Sequence, residues 1–138
     1  MTYYLAYGSN MNLPWMAECC QAAQFVAKTN LQNYALEFRG RDNVYATIFK
    51  KEDSFVPVVV WQVDQADELR LDKYEDYPNL YYKEYLPIEV DGQIVEAMVY
   101  IMQDFPKGQP QKEYYEMIEV AYQAQGFDTD ILKKAVTN

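Results

Sequence analysis

Histidine is absent from this chain of 138 residues, and cysteine occurs only at the adjacent positions Cys19 and Cys20. The absence of histidine excludes the usual zinc sites, the Ser-His-Asp and Cys-His nucleophile systems, and any histidine general base. Two neighbouring cysteines can bridge only through a strained ring, so the chain carries no disulfide framework, and we interpret the pair as structural. We therefore expect a protein of the reducing cytoplasm.

Basic residues are scarce as well, because 12 Lys and Arg stand against 21 Asp and Glu and give a formal net charge of −9. The nearest approach to a basic cluster is the pair Lys50 and Lys51. Proteins that bind nucleic acids or anionic membranes usually present a basic surface to phosphate groups. The composition therefore predicts neither nucleic acid nor membrane as a partner, and it leaves open whether the chain forms a homodimer.

Long hydrophobic runs are also missing. The longest, residues 55–61, contains Pro57 and is much shorter than the roughly 18 residues of a membrane-spanning helix, so it indicates a buried strand. The first residues lack the basic-then-apolar pattern of a signal peptide. Because the length is close to that of one ordinary domain, we expect residues 1–138 to form a single domain.

Tyrosine is the abundant residue, with 14 copies against 6 Phe and 2 Trp. Its ring is apolar and its tip is polar, so Tyr suits both half-buried strands and the walls of polar cavities. Tyr81, Tyr82, Tyr85 and Tyr114 are candidates for orienting a carboxylate or amide of a ligand by hydrogen bonding. Packing in the core or on the surface is the alternative for each of them.

The pattern of apolar residues and turn formers predicts strands at 3–7, 23–28, 31–39, 44–49, 56–63, 81–90 and 93–102. Helices are predicted at 13–20, from 64 or 65 to 77, at 111–125, and from 128 onward. Asp64 suits an N-cap, Asp91-Gly92 favours a two-residue hairpin, and Gly126 is typical of a helix end. Many strands joined mostly by hairpins, with few helices, predict an α+β fold built on a small mixed β-barrel with flanking helices.

The segment from Ala6 to Asn10, Ala-Tyr-Gly-Ser-Asn, directly follows the first predicted strand. Glycine followed by two short polar residues allows successive backbone N–H groups to turn toward an anion or a developing oxyanion. The alternative is an ordinary strand-to-helix turn in which Ser9 or Asn10 is the N-cap. Ser9 is also a potential nucleophile, but no Lys or Glu base for it is evident in the sequence.

Glu75 is the candidate for proton transfer. It lies one helical turn after Leu71, near the predicted helix C-terminus and between Asp72 and Asp76. The helix dipole and the like charges should both raise the pKa of the Glu75 carboxyl toward the range useful in acid–base catalysis. Stability alone would not place an acid there, although the alternative of a solvated surface carboxylate is common on helices.

Together these segments resemble the γ-glutamylcyclotransferase-like proteins, also called AIG2-like. The run Tyr4-Leu5-Ala6-Tyr7-Gly8-Ser9-Asn10-Met11 is similar to the N-terminal signature of that family. The block Leu71-Asp72-x-x-Glu75-x-Tyr77-Pro78-x-x-Tyr81 is similar to its second motif. The likeness continues in the same order at residues 11–16, 34–40, 46–48 and 59–61, and at Tyr114, Tyr122 and Gly126, so it spans nearly the whole chain.

The resemblance implies a small mixed barrel in which residues 7–10, namely Tyr7, Gly8, Ser9 and Asn10, cradle a glutamyl group. It implies that Glu75 is the catalytic acid and base, and it matches Tyr81 and Tyr114 to tyrosines of the family's binding pocket. The implied reaction cyclises the γ-glutamyl group of a γ-glutamyl amine or dipeptide, a small-molecule substrate, to 5-oxoproline. The substrate's own α-amine is the nucleophile, so neither a metal nor another cofactor is required.

Three positions depart from the family pattern and leave substrate preference open. Asp76 stands where Gly is common after the glutamate, Cys19-Cys20 replaces a frequent Arg-Cys, and Ala121 precedes Tyr122 where Gly is common. Removal of a γ-glutamyl protecting group from a biosynthetic intermediate would use the same site with a different leaving amine. The alternative from another class is a binding or regulatory module that retains the γ-glutamyl pocket without turnover.

Overall fold

The computed structural model describes residues 1–137. The strands are β1 (Thr2–Ala6), β2 (Gln24–Gly40), β3 (Val44–Val63), β4 (Tyr81–Val90) and β5 (Gln93–Met102). The helices are α1 (Leu13–Cys19), α2 (Gln65–Tyr74), α3 (Lys112–Gln125) and α4 (Thr129–Thr137), and a 3₁₀ turn spans Ser9–Met11. Each predicted strand and helix overlaps one of these elements, but two pairs of predicted strands fall in the single strands β2 and β3, and some element ends differ.

The five strands form one mixed sheet in the order β2-β3-β1-β5-β4. The central strand β1 is parallel to β5 and antiparallel to β3, while the hairpins β2–β3 and β4–β5 are antiparallel. β3 is an interior strand, as its apolar run predicts, and Val56, Val58, Val59 and Val60 are fully buried. The predicted α+β class with a mixed sheet is therefore confirmed.

The predicted barrel is not closed. In the described part of the chain, β2 and β4 are the two edges of the sheet rather than paired neighbours. The sheet is curled instead, since the first half of β3 approaches the other hairpin. The Tyr81 hydroxyl donates to the Ala46 carbonyl at 2.6 Å, and the Met102 N–H donates to Thr47 Oγ1 at 2.9 Å. Hydrogen bonds that involve the Tyr81 and Thr47 side chains thus stabilise the curled sheet at a place where a closed barrel would have backbone hydrogen bonds between paired strands.

The long strands β2 and β3 each contain two of the predicted strands. The intervening polar residues, such as those at 50–53, are exposed, so the apolar alternation that marks a strand is lost there. The register shift between Phe25 and Ala27 has the form of a β-bulge, with one extra residue on β2. Between Gln32 and Tyr34 the irregularity is larger, because residues 51–54 of β3 stand opposite Asn33 alone, and the pairing resumes on both sides of it. The two-strand interpretation of each segment was therefore wrong.

Several predicted turn and cap residues are confirmed. The Asp64 carboxylate accepts a hydrogen bond from the Asp67 N–H at 2.8 Å and so caps the N-terminus of α2. Asp91 and Gly92 have φ of 51° and 79° in the β4–β5 hairpin, and Gly126 has φ of 76° at the end of α3.

The buried hydrophobic residues form one cluster between the sheet and the helices. On α3, the predicted apolar stripe supplies Ile118, Ala121 and Tyr122 to this cluster, and α4 adds Leu132. No helix within residues 1–137 is both long and apolar enough to cross a membrane.

Candidate active site

A cavity of about 420 Å³ lies where the end of β1, the β2–β3 turn, the end of α2 and the start of α3 meet. Its volume is in the range of roughly 300–1,000 Å³ that is usual for small-molecule sites. Tyrosines dominate the walls, together with the residues of the 8–10 turn and Glu75. The lining tyrosines are Tyr4, Tyr7, Tyr45, Tyr74, Tyr81, Tyr100 and Tyr114.

Glu75 is placed by a helix-ending motif. α2 ends at Tyr74 rather than at the predicted residue 77, and Glu75 is its C-cap. The Tyr77 N–H donates to the Asp72 carbonyl at 2.9 Å and the Asp76 N–H to the Lys73 carbonyl at 3.3 Å, which is the hydrogen-bond pattern of a Schellman motif. Asp76 has φ of 51°, so the chain turns away and the Glu75 side chain lines the cavity.

This motif explains the departure at Asp76. The position after the C-cap of a Schellman motif has a left-handed backbone, which glycine adopts most easily and which Asp and Asn tolerate better than most residues. The glycine that is common here in the resembling family would serve this backbone, and Asp76 serves it at a modest conformational cost.

The Glu75 carboxyl is enclosed by the tyrosine walls, although the residue keeps part of its surface open to the cavity. Burial raises the pKa of Glu75 from its ordinary value of 4.5 to about 8. The sequence also predicts a raised pKa for Glu75. The cause, however, is removal of the carboxyl from water and not the neighbouring acids or the helix dipole. Asp72 is engaged elsewhere, because its Oδ1 lies 2.8 Å from Lys83 Nζ and accepts from the Tyr100 hydroxyl at 2.5 Å.

Asn10 connects the 8–10 turn to Glu75. The Trp15 indole N–H, which can only donate, bonds to Asn10 Oδ1 at 2.7 Å and fixes the orientation of the amide. Asn10 Nδ2 then donates to the Tyr4 hydroxyl at 2.8 Å and to Glu75 Oε1 at 3.3 Å. Because Oε1 accepts from the amide, Oε2 is the oxygen left free of this contact to take up a proton.

The alternative in which Ser9 or Asn10 is an N-cap is wrong. Asn12 caps α1, since its Oδ1 accepts from the Trp15 N–H at 3.0 Å. Ser9 Oγ instead lies 3.0 Å from the Tyr74 hydroxyl. The 3₁₀ turn makes its first hydrogen bond from the Met11 N–H to the Gly8 carbonyl, at 3.0 Å. The N–H groups of residues 8–10 precede that bond at the cavity wall, where backbone donors can face an anion.

Gly8 keeps this wall open. A Cβ added to it would lie 3.5 Å from the Ala46 Cβ and 3.6 Å from the Tyr114 hydroxyl. A side chain at Gly8 would therefore fill the space between the turn and Tyr114.

The buried tyrosines divide into two groups by the direction of their hydrogen bonds. The Tyr7 hydroxyl donates to the Tyr100 carbonyl, and the Tyr81 hydroxyl donates to the Ala46 carbonyl, each at 2.6 Å. The Tyr114 hydroxyl accepts from the Ala46 N–H at 3.0 Å, so its own proton remains to be donated to a ligand. Burial raises the pKa of Tyr7, Tyr81 and Tyr114 above the ordinary value, which keeps these phenols protonated.

Of the other two candidate tyrosines, Tyr85 is 51% exposed and Tyr82 is half-buried, and the cavity lining includes neither. Tyr4 also lines the cavity; it belongs to the N-terminal motif but is not one of the predicted site residues. The structure adds further lining residues that the sequence did not indicate, above all Tyr100, Arg41 and Phe105. Tertiary contacts bring them to the cavity, and no local motif marks them. Within residues 1–137, no group of three or more Cys, Asp or Glu side chains is arranged to hold a metal ion.

The model of the family "gamma-glutamyl cyclotransferase, AIG2-like" matches residues 4–122. This chain belongs to that family. The match includes both the 8–10 turn and Glu75, the two parts of the cavity that Asn10 connects. No curated protein matches the chain significantly.

Solved structures share the fold. A protein named gamma-glutamyl cyclotransferase and an uncharacterized protein from Homo sapiens each superpose with a TM-score of 0.85 at 22% identity, over 97% of this chain and 85% of theirs. YkqA from Bacillus subtilis superposes with a TM-score of 0.80 at 19% identity, over 96% of this chain and 52% of its own. At these identities the likeness concerns the fold alone.

Proposed function

We propose that this protein cyclises the γ-glutamyl group of a γ-glutamyl amine or dipeptide to 5-oxoproline and releases the free amine, with Glu75 as general base and then general acid. The observation that carries the proposal is a single carboxyl with a pKa raised to about 8, set in a tyrosine-lined cavity beside a turn of backbone donors. A group that titrates near neutrality can both take and give a proton at physiological pH.

The first step needs Glu75 as the carboxylate. Oε2 accepts a proton from the substrate's α-ammonium, and the resulting amine attacks the γ-carbonyl carbon, forming the new C–N bond of a five-membered ring. The charge that develops on the carbonyl oxygen is stabilised by hydrogen-bond donors, for which the N–H groups of residues 8–10 and the Tyr114 hydroxyl are suited.

The second step returns the proton. Oε2 of the neutral Glu75 protonates the nitrogen of the departing amine as the original C–N bond breaks. The new ring nitrogen, which still carries two protons, passes one of them to the released amine, so that 5-oxoproline and the ammonium form of the amine leave and Glu75 is again a carboxylate. The Asn10 amide holds Oε1 throughout, so one oxygen of the carboxyl is reserved for proton transfer. Confining the glutamyl chain in a folded conformation would supply much of the remaining acceleration.

A panel of γ-glutamyl amines and dipeptides tests the proposal. The purified protein and its Glu75→Gln variant are incubated with each compound, and 5-oxoproline is measured by mass spectrometry. Release by the wild type and its loss in the variant, with an unchanged circular dichroism spectrum, would support the reaction. Saturable binding without release from any compound would instead favour a binding or regulatory module.

We also propose that the protein acts in a reducing compartment such as the cytoplasm, without a cofactor. Both Cys19 and Cys20 are free thiols, which supports the compartment. The proposed chemistry uses only the substrate's amine and the Glu75 carboxyl, which supports the absence of a cofactor from the reaction.

A further inference from the structure

The cavity has the titratable acid and a permanent cation on two of its walls. Glu75 lies at the end of α2, and Arg41 lies in the turn between β2 and β3. Among the described residues that line the cavity, Arg41 is the only Lys or Arg. In a chain with a net charge of −9, a cation at this place favours an anionic group that the rest of the protein would repel.

Arg41 is held at the cavity mouth by an aromatic ring. Its guanidinium carbon lies 5.5 Å from the centroid of Phe105, in the geometry of a cation–π contact. Within residues 1–137, no carboxylate oxygen lies within the 4.0 Å ion-pair distance of the Arg41 nitrogens. The N–H groups of the guanidinium therefore remain for a ligand.

The loop that carries Phe105 is fixed to the end of β2. Arg39 Nη1 donates to the Phe105 carbonyl at 2.8 Å, and the Gly40 N–H donates to the Pro106 carbonyl at 3.0 Å. The Arg39 guanidinium also pairs through Nε with Glu37, whose side chain is only 7% exposed. The ring of Phe105 that contacts Arg41 is therefore held in place by a partly buried ion pair and a backbone hydrogen bond.

The proposed glutamyl site lies between the β2–β3 turn, which carries Arg41, and Glu75. β3 begins after this turn, and its residue Ala46 lies next to Gly8. Gly8 belongs to the 8–10 turn, whose Asn10 side chain donates a hydrogen bond to Glu75. A glutamyl group with its α-amine at Glu75 and its γ-carbonyl at the backbone donors would direct the leaving amine toward Arg41. The cavity is also larger than a single glutamyl group requires.

From this arrangement we infer that Arg41 binds a carboxylate on the leaving amine, so that the preferred substrates are γ-glutamyl amino acids or peptides rather than neutral γ-glutamyl amines. This inference rests on the proposed function. Arg is suited to the role, because its planar fork binds carboxylates through two parallel hydrogen bonds. Asp42, the other charged residue of this turn in the cavity lining, would repel the ligand carboxylate, so the attraction to Arg41 must exceed that repulsion.

The test compares γ-glutamyl-alanine with γ-glutamyl-ethylamine, which lacks only the leaving-group carboxylate. The ratio of the two kcat/KM values is measured for the wild type, Arg41→Gln, Arg41→Lys and Lys51→Gln. We expect Arg41→Gln to reduce the ratio by roughly tenfold or more, and Arg41→Lys to reduce it less. Lys51→Gln removes the same charge from an exposed position outside the cavity and should leave the ratio unchanged.

Two further readouts define the interaction. The wild-type ratio should fall as the salt concentration rises, because the contact lies at an open mouth where ions screen it. Asp42→Asn should raise the ratio by removing the like charge. An equal loss of activity toward both substrates in Arg41→Gln would overturn the inference, since Arg41 would then bind the glutamyl part.

Binding separates this inference from the proposed reaction. Dissociation constants of both ligands are measured by calorimetry in the Glu75→Gln background, with and without Arg41→Gln, where no turnover is expected. Loss of the preference for γ-glutamyl-alanine on removal of Arg41 would support the inference even if the wild type released no 5-oxoproline. An unchanged preference, or no saturable binding of either ligand, would overturn it.

Discussion

Asn10 Nδ2 donates a hydrogen bond of 3.3 Å to Glu75 Oε1, and this contact joins two sequence segments that lie 65 residues apart. The Trp15 indole fixes the amide in the orientation that makes Asn10 a donor toward Glu75. Asn10 is predicted to bind substrate; its side chain makes hydrogen bonds within the protein, and its backbone N–H remains among the proposed substrate donors. We therefore regard Asn10 as a positioning residue whose amide holds the proposed proton-transfer group.

Replacing Asn10 with Ala should impair the reaction through Glu75. The donated hydrogen bond favours the charged carboxylate, so its loss should raise the pKa of Glu75 further and reduce kcat/KM by roughly tenfold near pH 7. The specific readout is the ascending limb of the pH profile of kcat/KM, which should move to higher pH.

Asn12→Ala is the matched control for this experiment. Asn12 caps α1, so its replacement should reduce the free energy of unfolding by about 0.5–2 kcal/mol and leave the ascending limb in place. A limb that stays at the same pH in Asn10→Ala would contradict the positioning role.

The raised pKa of Glu75 predicts an unusual pH dependence of catalysis. The first step needs the carboxylate, so kcat/KM should rise tenfold per pH unit below the pKa of about 8 and level off above it. In the enzyme–substrate complex the bound ammonium favours the carboxylate, so the limb of kcat should lie at lower pH than that of kcat/KM. An ascending limb of the kcat/KM profile near pH 4.5 would contradict this prediction, because it would show that water reaches the Glu75 carboxyl in the free enzyme.

Glu75 should also make the protein less stable as the pH rises. Its folded pKa of about 8 exceeds the ordinary value of 4.5, so folding favours the protonated form. The contribution of protonated Glu75 to the free energy of unfolding is complete below about pH 4 and is lost as the pH approaches 8. It amounts to at most about 1.4 kcal/mol for each unit by which the folded and unfolded pKa values differ. Urea unfolding should therefore show that Glu75→Gln gains stability over the wild type, by about 1–3 kcal/mol, between pH 5 and pH 8.5.

Glu18→Gln makes the same chemical change at an exposed position of α1. Its stability difference from the wild type should stay constant over this pH range. A constant difference for Glu75→Gln as well would contradict the raised pKa.

The left-handed backbone at Asp76 predicts an ordered series of stabilities. Asp76→Gly should change the free energy of unfolding by less than about 1 kcal/mol, because glycine adopts φ of 51° without strain. Asp76→Val should lower it by about 1–2 kcal/mol, because a β-branched side chain clashes in this conformation. Urea denaturation of the three proteins measures the series, and equal stability of the Gly and Val variants would refute the helix-ending role of this position.

The hydroxyl of Tyr122 offers a test of the core. It is buried and, within the described chain, has no hydrogen-bond partner. Tyr122→Phe should leave the free energy of unfolding unchanged or raise it by up to about 1 kcal/mol, because a desolvated, unpaired hydroxyl is removed. In contrast, Tyr7→Phe removes the donor to the Tyr100 carbonyl and should cost about 1–3 kcal/mol. Thermal unfolding compares the stability of the two variants. A larger loss of stability in Tyr122→Phe than in Tyr7→Phe would contradict the description of the Tyr122 hydroxyl as unpaired.

The sequence predicts those parts of the fold that local chemistry determines. β4 and β5 begin and end where the alternation and the Asp91-Gly92 turn indicate, because a two-residue hairpin fixes the register on both sides. The Asp64 cap and the Gly126 stop follow from local hydrogen bonding and backbone freedom. Local patterns fail where β2 and β3 extend into solvent, because both faces of the hairpin become polar there.

The site is only partly predictable for the same reason. Glu75 and the 8–10 turn have local signals, in an acid placed against the helix dipole and a glycine followed by short polar residues. The cause of the raised pKa of Glu75 is burial beneath tyrosines from other elements, which no local pattern reveals. Arg41 and Phe105 meet because contacts of Arg39 and Gly40 hold the loop after β5 against the end of β2, and no local pattern shows these contacts.

The most direct test of the central claim is the stoichiometry of the reaction with a γ-glutamyl substrate such as γ-glutamyl-alanine. 5-Oxoproline, free amine and glutamate are quantified together for the wild type, Glu75→Gln and the exposed control Glu18→Gln. We expect the wild type and Glu18→Gln to release 5-oxoproline and amine in equal amounts without glutamate, and Glu75→Gln to release neither. Release of glutamate in place of 5-oxoproline, or full activity in Glu75→Gln, would contradict intramolecular cyclisation with Glu75 as the acid–base group.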